Sequence, residues 1–182
     1  MVTTYQNVTA EQLLATPGLG RCELVRGELI MMTPAGFEHG CIAADLCARL
    51  SVFVRQKRLG HVSGAETGFQ IARNPDTVRA PDVGFVRAQR VPSPPPRGFF
   101  QGPPDLAVEV LSPDDRASEV LAKVNDWLTA GCLAVWVVDP AKRSVSVYGK
   151  QGQMVTLIAN DELSGGDVLP GSRLSIAEIF GE

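Results

Sequence analysis

Asp82, Glu109 and Lys123 are residue types that can do chemistry together. Two acids and one lysine on adjacent elements can hold a divalent cation and activate water beside a phosphate. Asp82 follows Pro81 and opens the apolar stretch Val83-Gly84-Phe85-Val86. Glu109 lies inside Asp105-Leu106-Ala107-Val108-Glu109-Val110-Leu111, which reads as a buried strand. Lys123 lies on the helix-like segment that follows.

Each residue also has an ordinary explanation. Side chains alternate along a strand, so Asp105, Ala107, Glu109 and Leu111 share one face. A carboxylate in the middle of such a strand is costly to desolvate unless it is paired or metal-bound. A salt bridge to a nearby arginine would serve Glu109 as well as a metal would. Asp82 alone fits a strand-entry turn after proline. On a helical projection Ala117, Leu121, Val124 and Leu128 form the central apolar stripe, flanked by Val120 and Trp127. Lys123 falls just outside Trp127, where its stem can lie along the core and its amine can reach a site above the sheet. An unremarkable snorkelling lysine would occupy the same place.

The elements that must position these groups are readable in outline. Thr9-Ala10-Glu11-Gln12 is a capping-box pattern for a short helix ending near Pro17-Gly18. Arg21 to Met32 reads as a hairpin turning near Arg26-Gly27. Glu38 to Leu59 reads as a long amphipathic helix closed by Gly60. His61 to Ile71 is expected to be a strand broken at Gly64 or Gly68, with a turn at Asn74-Pro75-Asp76. Asp82 to Val86 is the next strand, followed by a loop with six prolines between Pro92 and Pro104. Asp105 to Leu111 is a strand. A helix is expected from Ser112 to Ala130, closed by Gly131. Leu133 to Val138 is a continuous apolar strand, as expected for burial on both faces. Ser144–Tyr148 and Met154–Ile158 form a hairpin, and Ser175-Ile176-Ala177-Glu178 is a capping box for a last turn. The strand–helix–strand run from Asp105 to Val138 implies parallel pairing. The fold class is α/β (α+β), a mixed central sheet flanked by helices, with residues 1–182 forming one domain.

Bulk properties exclude several classes. The chain has 182 residues, 45% hydrophobic and 20% charged, which suits a sizeable core rather than disorder. No apolar run approaches the roughly 18–20 residues of a membrane-spanning helix. Met1 to Gln6 lacks the basic start and apolar core of a signal peptide, so a cytoplasmic location is expected. Cys22, Cys41, Cys47 and Cys132 show no zinc-ligand spacing, and the last three stand among apolar neighbours as reduced core cysteines. Net charge is −3. From Arg55 to Arg97, however, eight Lys/Arg face three acids, a balance of +5 that could follow phosphates or simply face solvent. There is no phosphate-cradling P-loop, no dinucleotide fingerprint and no nucleophile elbow. His39 could be a general base, although a lone helix histidine is more often structural.

Several segments together resemble one known family. They are Arg79-Ala80-Pro81-Asp82-Val83, Pro104 to Pro113 around Glu109, Lys123, Ala130-Gly131 and Val135-Trp136-Val137-Val138-Asp139-Pro140. Cys22 to Leu29 and His39 extend the match to roughly Val8–Phe180. In order and spacing they are similar to the Uma-type restriction-endonuclease family of the PD-(D/E)XK superfamily. The resemblance implies a restriction-endonuclease-like fold with one active-site cleft. It implies Asp82 and Glu109 as Mg²⁺ or Mn²⁺ ligands, joined by the backbone carbonyl of Val110, and Glu23 as an additional catalytic acid. The lysine expected two residues after the glutamate is Leu111 here, which makes Lys123 the relocated candidate.

The resulting expectation is metal-dependent hydrolysis of nucleic acid, DNA first, with no membrane partner and, by analogy, a homodimer. The rival expectation is a nuclease fold that binds nucleic acid or a protein partner without cleaving it.

Overall fold

The computed structural model describes residues 7–181, so Met1 to Gln6, where a signal peptide was sought, and Glu182 lie outside the described residues. Helix α1 (Ala10–Ala15) starts at Thr9, whose side chain accepts from the Gln12 N–H while the Gln12 side chain accepts from the Thr9 N–H. This is the reciprocal cap expected from the sequence. Strands β1 (Cys22–Val25) and β2 (Glu28–Met31) form the expected hairpin. Helix α2 (Phe37–Lys57) follows. It stops at Arg58, which takes the left-handed conformation at φ 54°, and not at Gly60. Gly60 instead opens β3 (Gly60–Gly64), where a Cβ would stand 2.0 Å from the Val86 carbonyl oxygen.

The expected strand from His61 to Ile71 is two strands in different sheets. The second is β4 (Phe69–Ala72), which turns through Asn74-Pro75-Asp76 into β5 (Thr77–Arg79). Next come β6 (Val83–Arg87), the short β7 (Phe100–Gln101) inside the proline-rich loop, and β8 (Leu106–Val110). Helix α3 (Ala117–Ala130) begins later than expected. Ser112 to Asp115 form a turn instead, in which the Asp115 carboxylate accepts from the Ser112 N–H at 2.8 Å. The chain ends through β9 (Ala134–Asp139), β10 (Ser144–Gly149), β11 (Met154–Leu157), the pair β12 (Glu162–Ser164) and β13 (Arg173–Ser175), and α4 (Ile176–Ile179). Ser175 makes no side-chain cap, so that expected capping box does not form; Glu178 pairs with Arg49 at 3.0 Å.

The fold is mixed α+β, with two larger sheets rather than one. One has the order β2-β1-β5-β4-β7 and the other β11-β10-β9-β8-β6-β3. In the second, β8 and β9 pair in parallel across α3, as the apolar β-α-β run implied. Helix α2 packs Ile42, Leu46, Leu50 and Val54 into a core with Val83, Phe85, Val108, Val110, Trp136 and Val138. Helix α3 packs Val124 and Trp127 into a separate core with Ala107, Val135 and Val137. These strand residues alternate, so the six-stranded sheet has one helix on each face. Ala80-Pro81-Asp82, between β5 and β6, is one of the links that pass from one sheet to the other.

Two smaller expectations change. Of the cysteines, only Cys132 is buried; Cys41 is exposed, and all four are free. Four of the eight basic residues from Arg55 to Arg97 meet the chain's own acids. Arg79 bridges Glu23 and Asp126, Arg90 and Arg87 approach Asp105, and Arg73 faces Glu11.

Candidate active site

The site forms where the two sheets meet. β6 and β8 run antiparallel with Val83 opposite Val108, so one step further the register leads Asp82 opposite Glu109. The Val110 N–H fixes this arrangement by donating to Asp82 Oδ2 at 2.8 Å. In an extended strand the N–H and C=O of one residue project to the same side. The Val110 carbonyl therefore lies on the side of Asp82.

Both acids are buried, Asp82 at 4% and Glu109 at 6% exposure. Each has one oxygen held by a short hydrogen bond and one held loosely. Glu109 Oε1 accepts from the Trp127 indole N–H at 2.8 Å, while its Oε2 meets the Lys123 ammonium at 3.6 Å. Asp82 Oδ2 takes the Val110 N–H and lies 3.2 Å from His39 Nε2; its Oδ1 meets Arg21 at 3.4 Å.

Lys123 reaches the site because α3 is rotated from its expected setting. Trp127 is fully buried at the middle of the packed face, and Leu121 is 53% exposed rather than central. Trp127 gains both burial and an indole hydrogen bond this way, which a Leu121-centred face would not supply. The rotation carries Lys123, one helical turn before Trp127, from the margin into the site.

Glu23 comes from β1 and is 2% exposed. Its Oε2 accepts from Arg79 at 2.6 Å and its Oε1 from the Ala80 N–H at 3.0 Å. Lys123 Nζ is 4.0 Å away. Glu23 thus pins the link that carries Asp82 and, like Glu109, lies within 4.0 Å of the lysine ammonium. Sequence reasoning gave Glu23 no such partner. It also missed Arg21 and Trp127, and it left His39 open between a general base and a structural residue. Paired basic residues and a core tryptophan have no signature of their own in sequence; the one usable signal was that His39 stands in the first turn of the longest helix.

The electrostatics follow from burial and crowding. Burial pushes the Glu109 carboxyl up to about 7. The Lys123 ammonium opposes that rise, and the charges of Asp82 and Glu23 add to it. Burial works to lower Lys123, but Glu109 and Glu23 outweigh it and hold the amine above the ordinary lysine value. The hydrogen bond to Asp82 is the main cause that raises His39, against its burial.

Among the described residues no three His, Cys, Asp or Glu side chains are grouped as a ready metal cage. A hard cation that keeps several waters needs only one or two carboxylates. The donor set fits that smaller demand: all oxygen, two crowded carboxylates, and Asp82 Oδ1 and Glu109 Oε2 met only by long ion pairs.

The comparisons agree with this architecture. The family model Uma2, described as "Putative restriction endonuclease", matches residues 10–177. Among solved structures, a chain from Anabaena variabilis ATCC 29413, described as a "putative nuclease belonging to DUF820", superposes with a TM-score of 0.83. It is 21% identical, and the alignment covers 95% of this chain and 97% of that one. At that identity the likeness concerns the fold. No curated protein matches.

Proposed function

The chain belongs to the Uma2 family, and on that footing we propose that it is a metal-dependent endonuclease hydrolysing phosphodiester bonds of nucleic acid, DNA in the first place. The observation that carries the reading is the convergence of Asp82 and Glu109, each with one loosely held oxygen, beside the Lys123 ammonium. Asp82, Glu109 and the Val110 carbonyl would hold Mg²⁺ or Mn²⁺. When bound, such an ion neutralises charge and makes water more acidic near a phosphate.

The chain's own residues do the rest. Trp127 fixes the Glu109 carboxylate, and the Val110 N–H fixes Asp82, so both acids are preorganised. Lys123 directs an ammonium toward the negative charge that grows on phosphoryl oxygens during attack. Glu23 helps keep that amine charged and anchors Arg79-Ala80, which holds Asp82 in register. In this reading Glu23 positions Lys123 and Asp82 and does not touch the ion. The reading includes a cytoplasmic location and, for cutting both strands of a duplex, a homodimer.

The test is cleavage of DNA in Mg²⁺ or Mn²⁺ by wild type and Glu109→Ala. Loss of a carboxylate ligand is expected to lower the rate at least about a hundredfold, on the scale of removing one electrostatic contributor. Equal cleavage by both proteins would trace the activity to a contaminant and remove the proposal. The alternative is a nuclease fold that binds nucleic acid or a protein without cutting. It draws support from the engagement of all three acids by cationic side chains. The two readings part on whether the folded chain takes up Mn²⁺.

A further inference from the structure

The cations around the acid pair are not equivalent. Arg79 is consumed: its Nη1 donates to Glu23 at 2.6 Å, and its Nε and Nη2 both donate to Asp126. Lys123 is shared by two acids, 3.6 Å from Glu109 and 4.0 Å from Glu23. Arg21 has Asp82 alone, through Nη2 and at 3.4 Å. Among the described residues its Nε and Nη1 make no hydrogen bond, and its side chain meets no other acid.

Arg21 can also move its side chain without moving its strand. Its carbonyl accepts from the Met32 N–H at 2.9 Å, which fixes the backbone at the open end of the β1–β2 hairpin. Its side chain is 22% exposed, against 4% for that of Asp82. An anion arriving from solvent therefore meets the guanidinium before the carboxylate. A guanidinium is a planar fork of N–H donors, always charged, and it matches a phosphate through two parallel hydrogen bonds. Most of the Arg21 fork is unused on Asp82.

Asp82 Oδ1 is the oxygen that Arg21 holds, and the one that the proposed cation would need. With that oxygen taken, the guanidinium faces a like charge and loses its acid. Lys123 in the same circumstance keeps Glu23; Arg21 keeps no acid among the described residues. We infer that Arg21 is a phosphate-binding residue that changes partners, from Asp82 in the metal-free chain to a phosphate of the nucleic acid in the loaded one. This role rests on the nuclease reading for the cation and the class of ligand, but not for cleavage. It gives Arg21 two effects of opposite sign. As a like charge beside Asp82 Oδ1 it weakens cation binding. As a phosphate contact it strengthens nucleic-acid binding, and only when the cation is present. A merely structural partner would act otherwise: its loss would loosen Asp82 and weaken cation binding too.

Titration calorimetry measures Mn²⁺ uptake by wild type, Arg21→Ala and Arg21→Lys, and a thermal melt verifies that each is folded. Anisotropy measures binding of a fluorescein-labelled DNA duplex, once in EDTA and once in Ca²⁺, which takes the same oxygen ligands; a gel checks strand integrity. Arg21→Ala is expected to bind Mn²⁺ about tenfold more tightly than wild type. It is expected to bind the duplex roughly tenfold more weakly in Ca²⁺, and within about twofold of wild type in EDTA. Arg21→Lys keeps the charge and loses the fork. It should return Mn²⁺ affinity close to wild type and still bind the duplex more weakly in Ca²⁺, and this loss decides alone if Arg21→Ala does not fold. Unchanged or weaker Mn²⁺ uptake by Arg21→Ala, an equal loss of DNA affinity with and without Ca²⁺, or no loss in either variant overturns the assignment. Wild-type cleavage of the same duplex in Mn²⁺ is read separately. The opposed shifts without cleavage sink the nuclease reading and keep Arg21 on the phosphate; cleavage without the shifts does the reverse.

Discussion

Glu109 is a carboxylate set into a strand whose five residues are all buried. Folds keep such groups for function at a cost in stability. Its carboxyl moves from an ordinary 4.5 to about 7, chiefly by burial. The folded chain therefore holds this proton more tightly than the unfolded chain does. The stabilisation from protonation is complete below the unfolded value and is lost as pH rises through about 7. In EDTA, Glu109→Gln is expected to be more stable than wild type above that value, by up to roughly 3 kcal/mol. The difference should vanish near pH 4. Urea denaturation at the two ends of this range measures it, and a variant less stable than wild type at both would contradict the account. Residues of this kind were legible because an acid inside an apolar strand is anomalous. Glu23 was visible only through family resemblance, since the Arg79 and Ala80 contacts that give it a role come from a distant strand. Arg21 looked ordinary, and the role of His39 stayed open, because nothing local marks what they touch.

At the scale of elements, the outlines were readable and the ends were not. Periodicity located α2 and α3, and continuous apolarity located β8 and β9 with their parallel pairing. The start of α3 was misplaced because Ser112-Pro113-Asp114-Asp115 suits a turn as well as a cap. Its rotation was misjudged because a count of apolar positions weighs Leu121 equally with Trp127, while the larger ring with a donor to satisfy controls the packing. Short strands such as β5 and β7 carry too few residues for a pattern. Gly60 shows a correct residue with a mistaken reason. It does not cap α2; it permits β3 to approach β6, where the Val86 carbonyl leaves no room for a Cβ. Gly60→Ala is expected to cost on the order of 3 kcal/mol by forcing these strands apart. Gly36→Ala, in open space at the other end of α2, should cost far less. Comparable melting temperatures for the two variants would refute this explanation of Gly60.

For the molecule as a whole, the six-stranded sheet supplies rigidity on both faces and the five-stranded sheet supplies Glu23 and Arg79 to the shared edge. That second sheet was not legible, because its strands come from five separated short segments and one of them lies within the proline-rich loop. Charge could not be read from composition either. The basic segment looked available for phosphates, yet Arg79, Arg87, Arg90 and Arg73 turn toward the protein's own acids. The proposed metal site rests instead on the acidic pair with Lys123 at its side. A crystal soaked in Mn²⁺, with data collected for anomalous scattering, examines that pair directly. A peak is expected about 2 Å from both Asp82 Oδ1 and Glu109 Oε2, with Lys123 and Trp127 in their present places. Both carboxylates fully ion-paired with Arg21 and Lys123, and no peak between them at saturating Mn²⁺, would contradict the account.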